Sequence, residues 1–308
     1  MNKSLLFLLL LIAGCIPPAE PPHPSAIRET ARIANPAITE ASGLARSHLR
    51  QDRLWLINDG GAPPVVHAIG IDGKTAGSVI LDPGANIDWE AMASFELDGT
   101  PWLLVADTGD NEAVREISMI YVVEEPLLGR GEHVVRAPAW TIPFRWPGGP
   151  RDCEAVAVDA AAERILLLSK RTIPAMLYEL PLRPPSAGVL LAMPLGALDS
   201  LPQPTAGDLQ RAAPEQNWHW QPTAMDITRD SSAAVILTYR ALYHFERPAN
   251  VPWMEAFRKP PARLGLGDIR EAEAVAFGDD NHAILLTGEG SRAPLYRVEA
   301  IPRGWETS

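Results

Sequence analysis

Cysteine is almost missing from this chain, with two among 308 residues, Cys15 and Cys153. Together with seven scattered histidines, that argues against a thiolate or imidazole metal site. Basic residues are outnumbered, 27 against 38 acidic ones, for a net charge of −11. A balance of that sign argues against nucleic acid or an anionic membrane surface as a partner and is compatible with cations. The motifs that announce common chemistries are missing too: there is no G-x-S-x-G elbow, no H-E-x-x-H, no P-loop and no G-x-G-x-x-G. Past the N-terminal apolar run, no stretch approaches the ~20 residues that a spanning helix needs.

What is present is repetition. Five segments share an opening of a polar, a small, an apolar and a further, mostly small residue: Ser42–Ala45, Glu90–Ala93, Glu154–Ala157, Thr223–Asp226 and Glu273–Ala276. Two residues before each stand Glu40, Asp88, Asp152, Gln221 and Glu271. Each opening is followed by a short apolar run ending in a charge: Asp59, Asp107, Lys170, Arg240 and Glu289. Then comes an apolar residue followed by His67, Tyr121, Tyr178, Tyr243 or Tyr296, so four of the five tyrosines fill one slot. Short runs bounded by turn formers read as strands, and a repeat of roughly 50–65 residues suits four-stranded propeller blades. The expectation is an all-β, five-bladed propeller with Ile27–Ala34 closing the ring as an outer strand on the last blade. Six blades, the extra one within residues 183–215, is the alternative, and a β-sandwich or solenoid is the competing architecture. Helix is expected only as one turn at Trp253–Phe257.

The N-terminus reads as an export signal over residues 1–14, with Lys3 preceding the apolar run Leu5–Ile12. Ile12-Ala13-Gly14-Cys15 resembles the bacterial lipobox, which implies lipidation at Cys15. Residues 15–26, Pro-rich, read as a semi-rigid tether; residues 27–303 form the propeller and 304–308 a tail. With Cys15 acylated, Cys153 has no disulfide partner. The expected location is outside the cytoplasm, lipid-anchored, at the outer membrane if the cell is Gram-negative, as a monomer whose only membrane contact is the anchor.

In a propeller, the start of each inner strand and the end of the second share one face. The channel mouth is therefore expected to be ringed by Asp88, Glu90, Asp152, Glu154, Glu271 and Glu273, with Asn58, Asp59, Asp107, Lys170, Arg171, Arg240 and Glu289 just outside. Crowded carboxylates need a cation, a basic partner or raised pKa values. Glu90, Asp107, Asp110, Asn111 and Glu154 have the oxygen chemistry of a Ca2+ shell. The competing reading is structural: acids tied to backbone amides or neighbouring basic groups, and Asp107–Asn111 as a tight turn. Trp218-His219-Trp220 lies near the ring, where aromatics can stack on a flat ligand or simply anchor a loop.

Six motifs together, Glu40–Leu44, Asn58-Asp59-Gly60-Gly61, Asp88–Ala93, Asp107-Thr108-Gly109-Asp110-Asn111, Asp152–Val156 and Glu271–Val275, resemble those of secreted bacterial β-propeller proteins of uncharacterised function, Asp88-Trp89-Glu90 and Asp107–Asn111 being the most specific. These are in turn distantly similar to metal-dependent propeller lactonases and esterases. The resemblance implies one divalent ion on Glu, Asn and Asp side chains in the channel; Gln221 and Thr223 depart from the acidic pattern. The leading expectation is a ligand- or protein-binding propeller using Ca2+ or another divalent cation. The alternative is a metal-dependent hydrolase of esters, lactones or phosphoesters, with Glu90 or Glu154 as base and Lys170 or Arg171 steadying negative charge.

Overall fold

A computed structural model describes residues 26–185, 187–213, 218–269 and 271–299. The export signal, Cys15, the tether up to residue 25 and the tail lie outside the described residues.

The strands, in chain order, are β1 (Ile27–Arg32), β2 (Ala41–Arg46), β3 (Arg53–Asn58), β4 (Val65–Gly70), β5 (Thr75–Leu81), β6 (Trp89–Leu97), β7 (Thr100–Asp107) and β8 (Ser118–Glu124). Then follow β9 (Glu132–Arg136), β10 (Trp140–Arg145), β11 (Cys153–Asp159), β12 (Arg164–Ser169), β13 (Met176–Pro181), β14 (Leu190–Leu191) and β15 (Met193–Ala197). The last are β16 (Pro222–Ile227), β17 (Ala233–Thr238), β18 (Ala241–Glu246), β19 (Ala262–Gly265), β20 (Ala272–Phe277), β21 (Ile284–Gly288) and β22 (Pro294–Val298). They make five sheets, each led by one inner strand: β2, β6, β11, β16 or β20. Each inner strand contacts the next, and β20 meets β2, so the sheets close into a five-bladed propeller.

The ring closes as the sequence suggests: β1 pairs antiparallel with β22 of the last blade. The described residues of 183–215 form no sixth blade. They carry β14, β15 and a short helix, α1 (Ala206–Ala212), that the Pro-rich composition does not announce; its capping box is Thr205 and Asp208. The single turn expected at Trp253–Phe257 is present as α2. The segment 132–145 carries two strands. β10 stays in the second blade, whereas β9 crosses to pair parallel with β5 of the first. The dipeptide β14 does the same from the third blade to the second.

No single core exists. Five apolar clusters lie one at each blade–blade interface, so Trp55, Val66 and Tyr121 meet between blades one and two, and Leu242 and Val275 between four and five. This division explains how some 270 residues fold without one oversized interior. The repeated tyrosine slot is part of this packing: Tyr121, Tyr178 and Tyr243 are buried. Trp89 is fully buried, donates Nε1–H to the Ala85 carbonyl at 2.8 Å and leans on Tyr121.

All five inner strands carry a register shift at the same place, skipping Ser42, Glu90, Glu154, Thr223 and Glu273. A bulge of this kind re-aims one side chain without ending the strand. In blades one and four the re-aimed hydroxyl ties adjacent blades: Ser42 Oγ donates to the Trp89 carbonyl at 2.9 Å and Thr223 Oγ1 to the Ala272 carbonyl at 2.8 Å. Removing the hydroxyl at constant shape should weaken the ring seam. Thr223→Val is expected to lower the unfolding free energy in urea by ~1 kcal/mol. An unchanged urea midpoint would show that the tie contributes nothing.

Candidate functional site

The three bulge positions without a hydroxyl, Glu90, Glu154 and Glu273, put carboxyl groups at the channel mouth. Glu90 belongs to two triads, one with Asp59 and Asp88 and one with Asp152 and Glu154; within each, the ligand oxygens lie within 4.8 Å of one another. Two ionised carboxylates at that distance repel by about 3–4 kcal/mol at an effective dielectric near 20. The triads answer that repulsion differently.

The Asp152–Glu154 side is neutralised from within. Lys170, at the end of β12, is ion-paired to Glu154, and its Nζ also donates to the Tyr239 hydroxyl at 3.2 Å. Burial opposes the Lys170 charge, but Glu154 and the Tyr239, Glu90 and Glu273 oxygens outweigh it and hold the ammonium above its ordinary range. Arg171 Nε lies 2.8 Å from Asp152 Oδ2, and Asp110 N donates to Asp152 Oδ1 at 3.0 Å.

The Asp59–Asp88 side has no such partner. Among the described residues, the Asp88 and Glu90 carboxylates accept no hydrogen bond and make no ion pair, and Asp59 accepts one bond, from its neighbour Gly60 N. Burial, then Glu154 and Asp59, push Glu90 well above the usual carboxylate range. Burial, then Asp59 and Asp152, lift Asp88 to about 6.

The glycines of the two loop motifs explain how this pocket of charge is accommodated. A Cβ on Gly60 would stand 2.2 Å from Asp88 Oδ1, and one on Gly109 would stand 2.4 Å from Asp88 Oδ2 and 2.5 Å from Glu90 Oε1. Asn58-Asp59-Gly60-Gly61 and Asp107-Thr108-Gly109-Asp110-Asn111 thus converge on Asp88 of Asp88-Trp89-Glu90, each supplying a backbone with no side chain in the way.

Other expected ligand atoms are engaged elsewhere. Asp107 is fully buried, accepts from Asp88 N and Ile87 N, and pairs with Arg115 at 2.7 Å. Asp110 accepts from Val114 N and Arg115 N, and Asn111 from Arg171. The 107–115 connection is therefore a hydrogen-bonded turn, and of the five residues expected to form a Ca2+ shell only Glu90 keeps both oxygens free, Glu154 giving Oε1 to Lys170. Asn58 accepts from Thr39 N and Glu40 N and donates to the Ala37 carbonyl, a purely structural role.

Across the mouth, Glu271, Glu273, Glu289 and Arg240 line a separate pocket with His219 and Tyr239. Tyr239 donates to Glu273 Oε1 at 2.8 Å. Neither Trp218 nor Trp220 faces a ligand: the first is buried, and the second packs in the blade three–four core beneath Arg263. Tyr239 was not anticipated, although it is the one tyrosine outside the repeated slot, and that displacement was the available signal.

No protein-family model matches the chain, and no curated protein matches it. Neither comparison supports the resemblance to secreted propeller proteins, which stands on sequence motifs alone.

The raised carboxyls set a pH dependence. A Glu273 hydrogen bond and burial lift Glu289 to about 8; burial lifts Asp226, which accepts from Phe277 N, to about 7, and Asp88 stands at about 6. Each binds its proton more tightly folded than unfolded, where carboxyls titrate near 4. Their stabilising contribution is complete below about pH 4 and is lost as pH rises through about 6 to 8. In chelator, the melting temperature is expected to be lower at pH 8 than at pH 5; the opposite order would contradict this assignment.

Proposed function

We propose that this chain is an envelope-anchored β-propeller that holds a divalent cation, Ca2+ by preference, on Asp59, Asp88 and Glu90, and binds its ligand at that mouth. The observation that carries the reading is the pair of carboxylates, on Asp88 and Glu90, that receive neither a hydrogen bond nor an ion pair although Glu90 is only 5% exposed. A buried charge is normally paired or coordinated to a metal. Oxygens up to 4.8 Å apart suit Ca2+, whose ligands stand ~2.3–2.6 Å from the ion, better than Mg2+ at ~2.0–2.1 Å. Three protein residues leave positions for water or for a ligand oxygen. The Asp152–Glu154 side is a poorer seat because Lys170 and Arg171 already supply its positive charge. The anchor, with Cys15 lipidated behind a cleaved signal and the propeller held off the outer membrane by its proline tether, is supported by the sequence.

A second reading is favoured by Glu90 itself. A desolvated carboxylate held well above its ordinary pKa, beside a cation that polarises an ester or lactone carbonyl, has what a general base needs. Glu154, Lys170 and Arg171 are tied into the neutralised side, so Glu90 is the candidate that remains.

Titration of chelator-treated protein with Ca2+ is expected to give one ion per chain and a rise in melting temperature, ~2.7 kcal/mol of added stability at a hundredfold excess over Kd. Asp88→Asn, Glu90→Gln and Gly109→Ala should each weaken binding at least about tenfold, or ~1.4 kcal/mol. No stoichiometric metal and no thermal shift would remove the reading. In a screen of esters, lactones and phosphoesters, activity that survives Glu90→Gln would remove the hydrolytic version.

A further inference from the structure

Glu90 stands between two triads of carboxylates, and the chain supplies positive charge of its own to only one of them. The difference begins at one backbone position. In blade one Ala41 pairs with Asn58, and in blade three Cys153 pairs with Ser169, so Asp59 and Lys170 each follow the equivalent pair. Their backbones agree: Asp59 N donates to the Glu40 carbonyl at 2.8 Å, and Lys170 N to the Asp152 carbonyl at 3.0 Å. Blade one thus delivers a carboxylate to the first triad, and blade three delivers an ammonium to the second.

That ammonium is held as a small hard cation is held. Lys170 is buried, its Nζ donates to Glu154 Oε1 and to the Tyr239 hydroxyl, and it stands 5.4 Å from the centre of the Tyr239 ring. Charged N–H···O contacts run ~2.7–2.9 Å, a few tenths of an ångström longer than Ca–O distances of ~2.3–2.6 Å. An ammonium and a Ca2+ ion therefore fill much the same space among oxygens, but the ammonium cannot leave. Charge divides the mouth in the same way. The two triads hold five carboxylates, Asp59, Asp88, Glu90, Asp152 and Glu154, against Lys170 and Arg171. Fully ionised, these groups keep three negative charges; one divalent ion leaves one, and a second would reverse the sign.

We propose that Lys170 occupies, as a tethered ammonium, the seat of a second divalent ion, and so fixes the mouth at one exchangeable cation beside Asp59, Asp88 and Glu90. This assigns Lys170 a role in the metal reading above and rests on that reading. Two observations besides the crowding of acids carry it: a cation of the chain's own is seated in the second triad, and Glu90, shared by both triads, is buried without a hydrogen bond. One exchangeable ion beside a fixed ammonium cannot form the clamp of two ions ~3.5–4 Å apart that two-metal phosphoester chemistry uses.

The test is the Ca2+ stoichiometry of the purified full chain after chelator treatment, read by calorimetric titration and by elemental analysis after gel filtration. The parent is expected to bind one ion. Lys170→Met and Lys170→Gln, which remove the charge, should each bind two, and Lys170→Arg, which keeps it, should bind one. Lys170→Gln retains an amide donor for Glu154 and carries the test if circular dichroism shows Lys170→Met unfolded. The proposal is overturned if the folded neutral variants bind no more ions than the parent, or if Lys170→Arg binds as many as they do. It is overturned as well if neither neutral variant folds in Ca2+, since an ion at that seat replaces the missing charge. A parent with one ion and neutral variants unchanged from it would sink this inference and leave the metal reading standing. A parent without an ion, beside neutral variants that bind one, would do the reverse.

Discussion

Every blade begins with the same irregularity, one residue too many in the inner strand, and the character of the mouth depends on what that residue is. Where it is Ser42 or Thr223, the re-aimed side chain reaches the backbone of the next blade and closes a seam. Where it is glutamate, the same backbone deviation delivers a carboxyl to the common opening. A single local device thus serves as a joint in two blades and as a site-former in three. The five interblade cores keep the inner strands close enough for both uses.

Charge then sorts the mouth into regions. Lys170 and Arg171 come from the end of the third blade's second strand and its following turn, and they satisfy the acids nearest to them. Arg115 is spent on Asp107. Nothing comparable reaches Asp88 and Glu90, although the repulsion within their triad is several kcal/mol. Protonation relieves part of it. In the third region the Tyr239 hydroxyl donates to Glu273, and Glu273 together with burial raises the Glu289 carboxyl to about 8.

Much of the architecture was legible. Five openings, five short apolar runs and a tyrosine slot filled four times specify five blades, because each feature recurs at a strand position that packs in the same way. The closing strand followed from the last copy having no outer strand of its own. The crossing of β9 was not legible: its sequence reads as a strand, but its parallel partner, β5, belongs to another blade. Nor was α1, which lies in a Pro-rich stretch and depends on the Thr205–Asp208 capping box.

The sequence alone determined which residue types would gather at the mouth, since strand order and the antiparallel rule bring those ends together wherever the chain folds as a propeller. Only the tertiary structure decided their roles. Asp107, Asp110 and Asn111 look like cation ligands in one dimension, yet nearby amides and arginines claim their oxygens first. Glu90 and Glu154 are equivalent in the repeat, and one has a lysine beside it while the other does not. Whether a carboxylate is satisfied depends on the donors within about 3 Å, and those are fixed by how strand ends and loops meet, within a blade for Lys170 on Glu154 and between blades for Arg171 on Asn111.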